Sequence, residues 1–413
     1  MKLKVFFGKE FAGVLASTAD QGVVFSYDDS YRTNKSNSAL SISMPLSKKE
    51  YPQKECLPFF SGLLPEGDVK RRVSDFLHVS ESSTLKLLQE LGGECAGMIS
   101  ILPENKNCSV QKSYAFNNEN YELLDDETLY GFIKNINVRP LLKAKKELRL
   151  SLAGAQEKLP LVYFDKKYYL PKSDAPSTHI VKPSGDGELS TLSINEFVCM
   201  KLAQSCGLNV PNVELKTINN TTFLLEERYD RIVNKKSIKR LHQEDFCQAL
   251  GIMSDRKYQN DNGPDIAKIY SLIQKECTIP LLDTKEFLKY VIFNFIIGNC
   301  DAHGKNYSLL YEKGSSKLSP IYDAICTLVY PSLTKKMSMK IGKHYEILKV
   351  TKQDFVELAT CINLKSSIVL KMLDETITNI TNGFDKIRNE KSLAPYQDFL
   401  DKLENHIKRE LRK

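Results

Sequence analysis

The chain lacks paired cysteine motifs and long apolar runs. Its ten cysteines include no C-x-x-C pair, and the closest two, Cys199 and Cys206, are seven residues apart. This spacing matches neither a zinc pattern nor a disulfide framework, so we expect reduced cysteines. No stretch approaches the roughly 18 apolar residues that a membrane-spanning helix needs, and no apolar segment typical of a signal peptide follows Lys2 and Lys4. We therefore expect a cytoplasmic protein.

Positively charged residues are in small excess. Lys and Arg number 58 against 51 Asp and Glu, which leaves a net charge of +7 on 413 residues. This excess permits an acidic partner or nucleic acid but requires neither. The length, with no internal repeat or low-complexity tract, predicts two or three subdomains around a full core.

Local patterns predict an α+β fold in three regions. These are an α+β subdomain over 1–105, a strand-rich lobe over 121–240 and an all-helical lobe over 241–413, with a polar linker at 104–120. The first region shows a hairpin near its N-terminus and helical spacing at 69–77 and 84–91. A strand-rich lobe followed by a helical lobe is the two-lobed plan of protein kinases, in which nucleotide binds between the lobes.

Two carboxylates and an amide in the third region favour phosphoryl transfer. Asp301 and Asn306 have the spacing of the kinase catalytic loop H-R-D-x-x-x-x-N, in which the Asp accepts the proton of the attacking hydroxyl and the Asn binds Mg²⁺. Asp323 follows an expected hairpin over 307–322 and stands where the second metal-binding Asp of a kinase stands. Either carboxylate alone could instead cap a helix; both together with the Asn favour a kinase.

Two upstream segments fit the phosphates of a nucleotide. Small residues within 151–158 would let backbone N–H groups approach phosphate oxygens, although a plain glycine-containing hairpin would look the same. The strand over 178–182 ends on Lys182, like the phosphate-binding lysine of kinases, and Glu196 in a following helix would pair with it. The alternative is a solvated strand end and a surface helix.

A third segment suits the hinge that binds adenine. Over 223–230 an apolar strand runs into charged residues, where Tyr229 would lie against the base and Asp230 would reach a ribose hydroxyl. A surface turn would have the same pattern. Beside the expected phosphate site, His303 is predicted to donate a hydrogen bond and Lys305 to neutralise charge in the transition state.

The order of these motifs resembles the HipA family of bacterial serine/threonine kinases, the toxins of toxin–antitoxin pairs. The resemblance spans essentially the whole chain, including 62–67 and 92–103. Its six principal motifs are S-L-A-G-A-Q-E-K at 151–158, T-H-I-V-K at 178–182, E-R-Y-D-R at 227–231, L-H-Q-E-D-F-C-Q at 241–248, D-A-H-G-K-N at 301–306 and Y-D at 322–323.

The resemblance implies a kinase that uses ATP and Mg²⁺ to phosphorylate a Ser or Thr of a protein, with an aminoacyl-tRNA synthetase as the suggested class of target. It implies Asp301 as the catalytic base, Asn306 and Asp323 as metal ligands, and autophosphorylation at Ser151. The residues expected to bind ATP, with Asp230 added from the hinge pattern, are Ala153, Gly154, Ala155, Gln156, Glu157, Lys158, Lys182, Glu227, Arg228, Tyr229, Asp230, His303, Gly304, Lys305, Asn306, Tyr322 and Asp323.

The resemblance also implies a HipB-like helix-turn-helix antitoxin as partner, and operator DNA reached mainly through that antitoxin. A second interpretation is therefore a mainly non-catalytic co-repressor that binds the antitoxin and the operator. The intact set of Lys182, Asp301, Asn306 and Asp323 favours catalysis. The chain departs from the family in a shorter segment over 183–190, which leaves substrate choice open, and in His242, which replaces a proline.

Phosphorylation of Ser151 is expected to silence the kinase, because it would add roughly two negative charges where the phosphates of ATP must lie. We therefore predict that Ser151→Asp weakens ATP binding, measured by calorimetric titration, whereas the uncharged Ser151→Ala does not. Wild-type affinity in the Ser151→Asp protein would contradict this switch.

Overall fold

The computed structural model describes residues 1–20, 22–105, 113–136, 157–172, 174–234 and 237–411, with side chains up to residue 408 in the last helix. This part of the chain forms two compact units. Unit 1 comprises 1–182, 218–221 and 227–255, and unit 2 comprises 183–217, 222–226 and 256–413.

The described residues contain α-helices and β-strands throughout, with short 3₁₀ turns between them. The helices are α1 Asp29–Thr33, α2 Gln53–Gly62, α3 Gly67–Leu77, α4 Thr84–Leu91, α5 Asp126–Asn135, α6 Leu192–Ser205, α7 Phe246–Ala249, α8 Ile266–Glu276, α9 Pro280–Ile296, α10 Lys352–Cys361, α11 Ser366–Ile387 and α12 Gln397–Leu411. The strands are β1 Lys2–Phe7, β2 Glu10–Ser17, β3 Val23–Tyr27, β4 Glu50–Pro52, β5 Ile99–Pro103, β6 Tyr114–Ala115, β7 Tyr121–Leu124, β8 Leu159–Phe164, β9 Lys167–Pro171, β10 His179–Pro183, β11 Val213–Ile218, β12 Thr221–Glu227, β13 Arg231–Asn234, β14 Ser237–Arg240, β15 His242–Asp245, β16 Ser308–Glu312, β17 Ser315–Leu318, β18 Lys336–Ile341 and β19 His344–Glu346.

Unit 1 begins with an antiparallel sheet in the order β4-β3-β2-β1-β5. Leu3 and Val5 of β1 are buried, and the lysines that alternate with them face outward, which is the period of a strand with one face on the core. Phe59 and Phe60 of α2 and Leu88 of α4 share that core. Further along, β7, β9, β8 and β10 form a second antiparallel run, and β10 carries Lys182.

Unit 1 contains a buried ion network. Glu94 is 1% exposed and accepts hydrogen bonds from Arg231 Nη2 (2.7 Å), Arg228 Nη1 (3.3 Å) and the backbone N–H of Ser177 (3.0 Å). Asp230 accepts from Arg228 at 2.9 Å and lies 2.8 Å from Arg231. Burial alone would raise the pKa of Glu94, but the neighbouring guanidinium groups outweigh burial and hold that pKa below its usual range. Two acids and two bases therefore compensate one another's lost hydration.

Unit 2 is built mainly from helices, with α11 packed against α6, α9 and α10, and α8 against α9. From Phe287 to Ile296 of α9, all residues except Lys289 and Phe295 are buried. A helix that is apolar on most sides needs neighbours on most sides, and α8, α11 and α12 all contact it. This central helix carries the candidate catalytic loop at its C-terminal end.

The α+β fold class is confirmed, as are the N-terminal hairpin and the helices predicted at 69–77 and 84–91. The C-terminal lobe is not all-helical, however, since the hairpins β16–β17 and β18–β19 lie within it. Helix α5 falls in the region predicted to be mostly strand. Residues 227–255 group with residues 1–182 in unit 1, and Arg228 and Arg231 of this segment donate to Glu94.

His242, the departure from the family motif, is buried in unit 1. Its Nε2 lies 2.9 Å from the carbonyl oxygen of Leu40, and its ring packs against Phe7 at 4.7 Å. Burial lowers its pKa to about 4, so it is a neutral core side chain at physiological pH. Among the helices of the described residues, none is long and apolar enough to span a membrane.

The ion network generates a stability prediction. Glu94→Gln keeps the side-chain shape but removes a buried charge from two guanidinium groups, so it should destabilise the protein by about 3–5 kcal/mol. The matched control is Glu55→Gln, which breaks an exposed pair with Lys48 (2.6 Å) and should cost about 1 kcal/mol or less. Urea unfolding followed by circular dichroism measures both, and equal midpoints for the two variants would refute the role of the network.

Candidate active site

The candidate catalytic loop starts where α9 ends in a left-handed turn. Gly298 has φ +77°, and its N–H donates to Phe295 O (3.1 Å) while the N–H of Asn299 donates to Asn294 O (2.8 Å). This pair of bonds is the Schellman arrangement, which satisfies the last carbonyls of a helix. The positive φ favours glycine at this position, and a Cβ, 2.9 Å from Leu328 Cδ1, would also require the Leu328 side chain to shift.

Side-chain and backbone bonds then fix the direction of the loop up to Asp301. Thr327 Oγ1 accepts from the N–H of Cys300 at 2.9 Å and donates to Gly298 O at 3.0 Å. The N–H of Asp301 donates to Asn299 Oδ1 at 3.0 Å. Asp301 itself is exposed, and its Oδ1 accepts a hydrogen bond from the hydroxyl of Tyr258 at 3.0 Å. An exposed carboxylate on a fixed loop is what a general base for an external hydroxyl requires.

Asn306 is held by the same loop. The N–H of His303 donates to Asn306 Oδ1 (3.1 Å), and the N–H of Asn306 donates to His303 O (2.9 Å), around a 3₁₀ turn over Gly304–Asn306. This exchange orients the amide, and its Nδ2 lies 3.5 Å from Asp323 Oδ2. Asn306 of the loop and Asp323, which follows the β16–β17 hairpin, therefore lie side by side.

Tyr322 ties the hairpin to the loop. Its hydroxyl donates to the carbonyl oxygen of Lys305 at 2.7 Å and also lies 2.7 Å from Ser308 Oγ. Asp323 follows in a left-handed conformation with φ +51°, which Asp tolerates better than most residues. The turn directs the Asp323 carboxylate toward Asn306.

Three carboxylates come together around Asp323. One oxygen each of Glu196, Glu226 and Asp323 lies within 4.8 Å of the others, with both glutamates buried. Like charges at this separation disfavour one another, and a divalent cation relieves the repulsion. Carboxylate and amide oxygens are the ligands that Mg²⁺ prefers, so the donor set fits this ion. In the present arrangement the amide nitrogen of Asn306 faces Asp323, and a cation bound by both side chains would replace that contact.

Lys182, Glu227 and Tyr229, which are also predicted to bind nucleotide, belong to unit 1. Lys182, near the end of β10, is 1% exposed. Glu227 is half-buried, and burial raises the pKa of its carboxyl group. The hydroxyl of Tyr229 donates to Gln243 Oε1.

Two predicted hinge side chains have structural partners instead. Arg228 and Asp230 are both buried in the Glu94 ion network, and Asp230, 2% exposed, also accepts from the backbone N–H of Gly97 at 3.0 Å. These bonds account for the charged groups of both side chains, so the predicted contact of Asp230 with a ribose hydroxyl is not supported. The local pattern did not reveal this, because the compensating acid lies 134 residues away from Arg228.

The phosphate-loop prediction is covered only in part by the structure. Ser151, Ala153, Gly154, Ala155 and Gln156 lie outside the described residues. Glu157 pairs with Arg72 of α3, and burial raises the pKa of Glu157 despite this partner. Lys158 directly precedes β8.

Two residues near the predicted site were missed. Glu226 continues the apolar run 223–225, and nothing in its local pattern marks it as part of a carboxylate cluster. Tyr258 is 43 residues from Asp301, so no spacing rule connects the two. Both depend on tertiary contacts.

Comparison with known proteins assigns the chain to a family. Residues 3–102 match the HipA N-terminal domain, and residues 150–384 match the HipA-like C-terminal domain. A Sinorhizobium fredii protein, provisionally named a kinase, is 34% identical over 382 residues, covering 92% of this chain and 89% of its own. The chain belongs to the HipA family. This confirms the family predicted from the order of the motifs.

Two comparisons with HipA of Shewanella oneidensis extend this result. The serine/threonine-protein kinase toxin HipA is 30% identical over 302 residues, which cover 70% of this chain and 67% of the toxin. A solved complex of HipA, HipB and operator DNA contains a chain that superposes with a TM-score of 0.82 at 24% identity, covering 98% of this chain and 97% of that chain. At that identity the match shows a shared HipA fold. The HipA-like C-terminal match includes Lys182, Asp301, Asn306 and Asp323.

Proposed function

We propose that this HipA-family chain is an ATP-dependent serine/threonine protein kinase. The observation that carries the proposal is that Asn306 Nδ2, on the loop that also presents Asp301, lies 3.5 Å from Asp323 Oδ2. Phosphoryl transfer to a hydroxyl needs a general base for the acceptor and oxygen ligands for the metal ion of the nucleotide. In this chain one short loop carries both the exposed Asp301 and the ligand Asn306. Relatives named as kinases support the same chemistry.

In the proposed reaction the oxygen of a Ser or Thr hydroxyl forms a bond to the γ-phosphorus of ATP. The bond between that phosphorus and the bridging oxygen of ADP breaks, and Asp301 accepts the proton of the hydroxyl. We assign Mg²⁺ to Asn306 and Asp323, with Glu196 and Glu226 adding negative charge beside them. When bound, the ion neutralises phosphate charge.

We assign the contacts with ATP from the sequence motifs that resemble those of the HipA family. Lys182, Lys158 and the segment 153–156 would hold phosphates, and the backbone at 227–229 would hold the base. His303, Gly304, Lys305 and Tyr322 complete the set, while Arg228 and Asp230 are assigned to holding the segment in place. Ser151 is the proposed site of self-phosphorylation.

We further propose a HipB-like helix-turn-helix antitoxin as the partner, with operator DNA engaged mainly through it. The solved Shewanella complex of HipA with HipB and operator DNA supports this. An aminoacyl-tRNA synthetase is the proposed class of target. A mainly non-catalytic co-repressor is the competing function, and it predicts normal repressor binding without phosphoryl transfer.

Transfer of label from γ-labelled ATP in the presence of Mg²⁺ tests the kinase directly. Wild type should label itself or a Ser/Thr peptide library, and Asp301→Ala should lower the rate by about 10²–10⁴-fold, the usual contribution of a general base. Phosphosite mapping by mass spectrometry then shows whether Ser151 is the modified residue.

The matched control is Asp374→Ala, which removes an exposed Asp on α11 that pairs with Lys352 of α10 at 3.4 Å. It should retain wild-type activity. Equal labelling by wild type and Asp301→Ala, or no labelling by a folded wild type that binds ATP, would reject the kinase and favour the co-repressor.

A further inference from the structure

A tyrosine outside all the recognised motifs contacts the proposed base. Tyr258 lies in the segment between α7 and α8, and its hydroxyl donates to Asp301 Oδ1 at 3.0 Å. Both residues belong to unit 2. A tyrosine hydroxyl is a donor to an ionised carboxylate, so this bond favours the charged form that a general base needs.

The segment that carries Tyr258 is closely braced. The carbonyl oxygen of Tyr258 accepts from the N–H groups of Asp261 (3.0 Å) and Gly263 (2.9 Å). A Cβ at Gly263 would lie 2.3 Å from Arg256 O and 2.5 Å from Tyr258 O, so the backbone is packed against itself. Gln259 Oε1 accepts from the N–H of Lys340 in β18 at 2.9 Å, which ties the segment to a neighbouring strand. The position of Tyr258 is therefore set by its surroundings and does not depend on Asp301 alone.

The same segment contacts the catalytic loop at two further points. The ring of Tyr258 meets the ring of His303 edge to face, with centroids 5.4 Å apart and planes at 75°. The N–H of Gly304 donates to the carbonyl oxygen of Lys257 at 3.4 Å. β18 also holds the loop, because the N–H and the hydroxyl of Ser338 donate to Cys300 O at 2.9 and 2.8 Å. Asp301 thus sits on a loop that is supported from both sides.

We propose that Tyr258 is a positioning residue for the catalytic base. Its hydroxyl holds Oδ1 of Asp301 and so selects one orientation of an exposed carboxylate that has several rotamers available. We assign Oδ2 as the oxygen that accepts the proton of the acceptor hydroxyl. The inference rests on the proposed kinase function and adds to it how the base is oriented.

Two other roles for Tyr258 make different predictions. A residue that only braces the fold would, when changed, alter stability and ATP binding together. A residue that binds the protein acceptor would change acceptor binding even when Asp301 is absent. A positioning residue acts through Asp301, so its effect on the rate must disappear once Asp301 is removed.

The experiment compares Tyr258→Phe with wild type, using Mg²⁺–ATP and a mixed Ser/Thr peptide library as the acceptor. Loss of a hydrogen bond to a charged group predicts a fall in kcat of about tenfold. The KM for ATP and the melting temperature should not change, since the ring and its contact with His303 are retained. Tyr396→Phe is the matched control: it also loses one tyrosine hydroxyl bond in unit 2, to Thr222 at 2.9 Å, and should keep wild-type kcat.

The second arm places Tyr258→Phe on an Asp301→Ala background and follows the residual rate over long incubations. The inference predicts the same residual rate with Tyr258 or Phe. A further tenfold loss in the double variant, an unchanged kcat in the single variant, or a parallel rise in the KM for ATP would overturn it. If wild type and Asp301→Ala transfer phosphate equally, the kinase function fails; if only Tyr258→Phe behaves as wild type, the positioning role alone fails.

Discussion

The left-handed turn at Gly298 is the constraint on which the candidate site depends. α9 is buried along most of its length, so its axis is set by the core of unit 2. Its final carbonyls are satisfied by the N–H groups of Gly298 and Asn299, and this closure sends the chain out of the helix in one direction only. Asn299, Thr327 and Ser338 then fix successive residues until Asp301 is reached. The position of Asp301 is therefore set by the way in which α9 ends.

A different physical problem dominates unit 1, where charges are buried. Four charged side chains are almost fully buried there: Glu94, Arg228, Asp230 and Arg231. Hydrogen bonds with one another and with Ser177 replace the contacts with water that they lose. Removing one member leaves the others uncompensated, which is why such groups are kept as a set. Through these bonds the residues proposed to form the hinge are joined to the segment that leads into β10 and Lys182, since the N–H of Arg228 donates to Thr178 O at 2.8 Å.

The sequence predicted what is encoded in short segments and missed what depends on distant contacts. Asp301 and Asn306 could be recognised because a loop of six residues keeps its geometry, and Asp323 because a hairpin returns the chain to that loop. Glu226 and Tyr258 could not, since their neighbours in space are far away in sequence. The hinge pattern over 223–230 predicted a ribose contact for Asp230, whereas in the structure this carboxylate is buried and pairs with Arg228 and Arg231. Strand β18 was missed although Met337, Met339 and Ile341 alternate with polar residues, and β19 has only three residues.

In the proposed site Asp323 binds Mg²⁺ for the nucleotide, while Asp301 acts on the acceptor hydroxyl. Calorimetric titration of ATP with and without Mg²⁺ separates these roles. Asn tolerates the left-handed backbone at this position, so Asp323→Asn removes the charge without straining the turn. We predict that Mg²⁺ tightens ATP binding in wild type and in Asp301→Ala but not in Asp323→Asn. Full Mg²⁺ dependence of ATP binding in Asp323→Asn would show that Asp323 does not bind the ion.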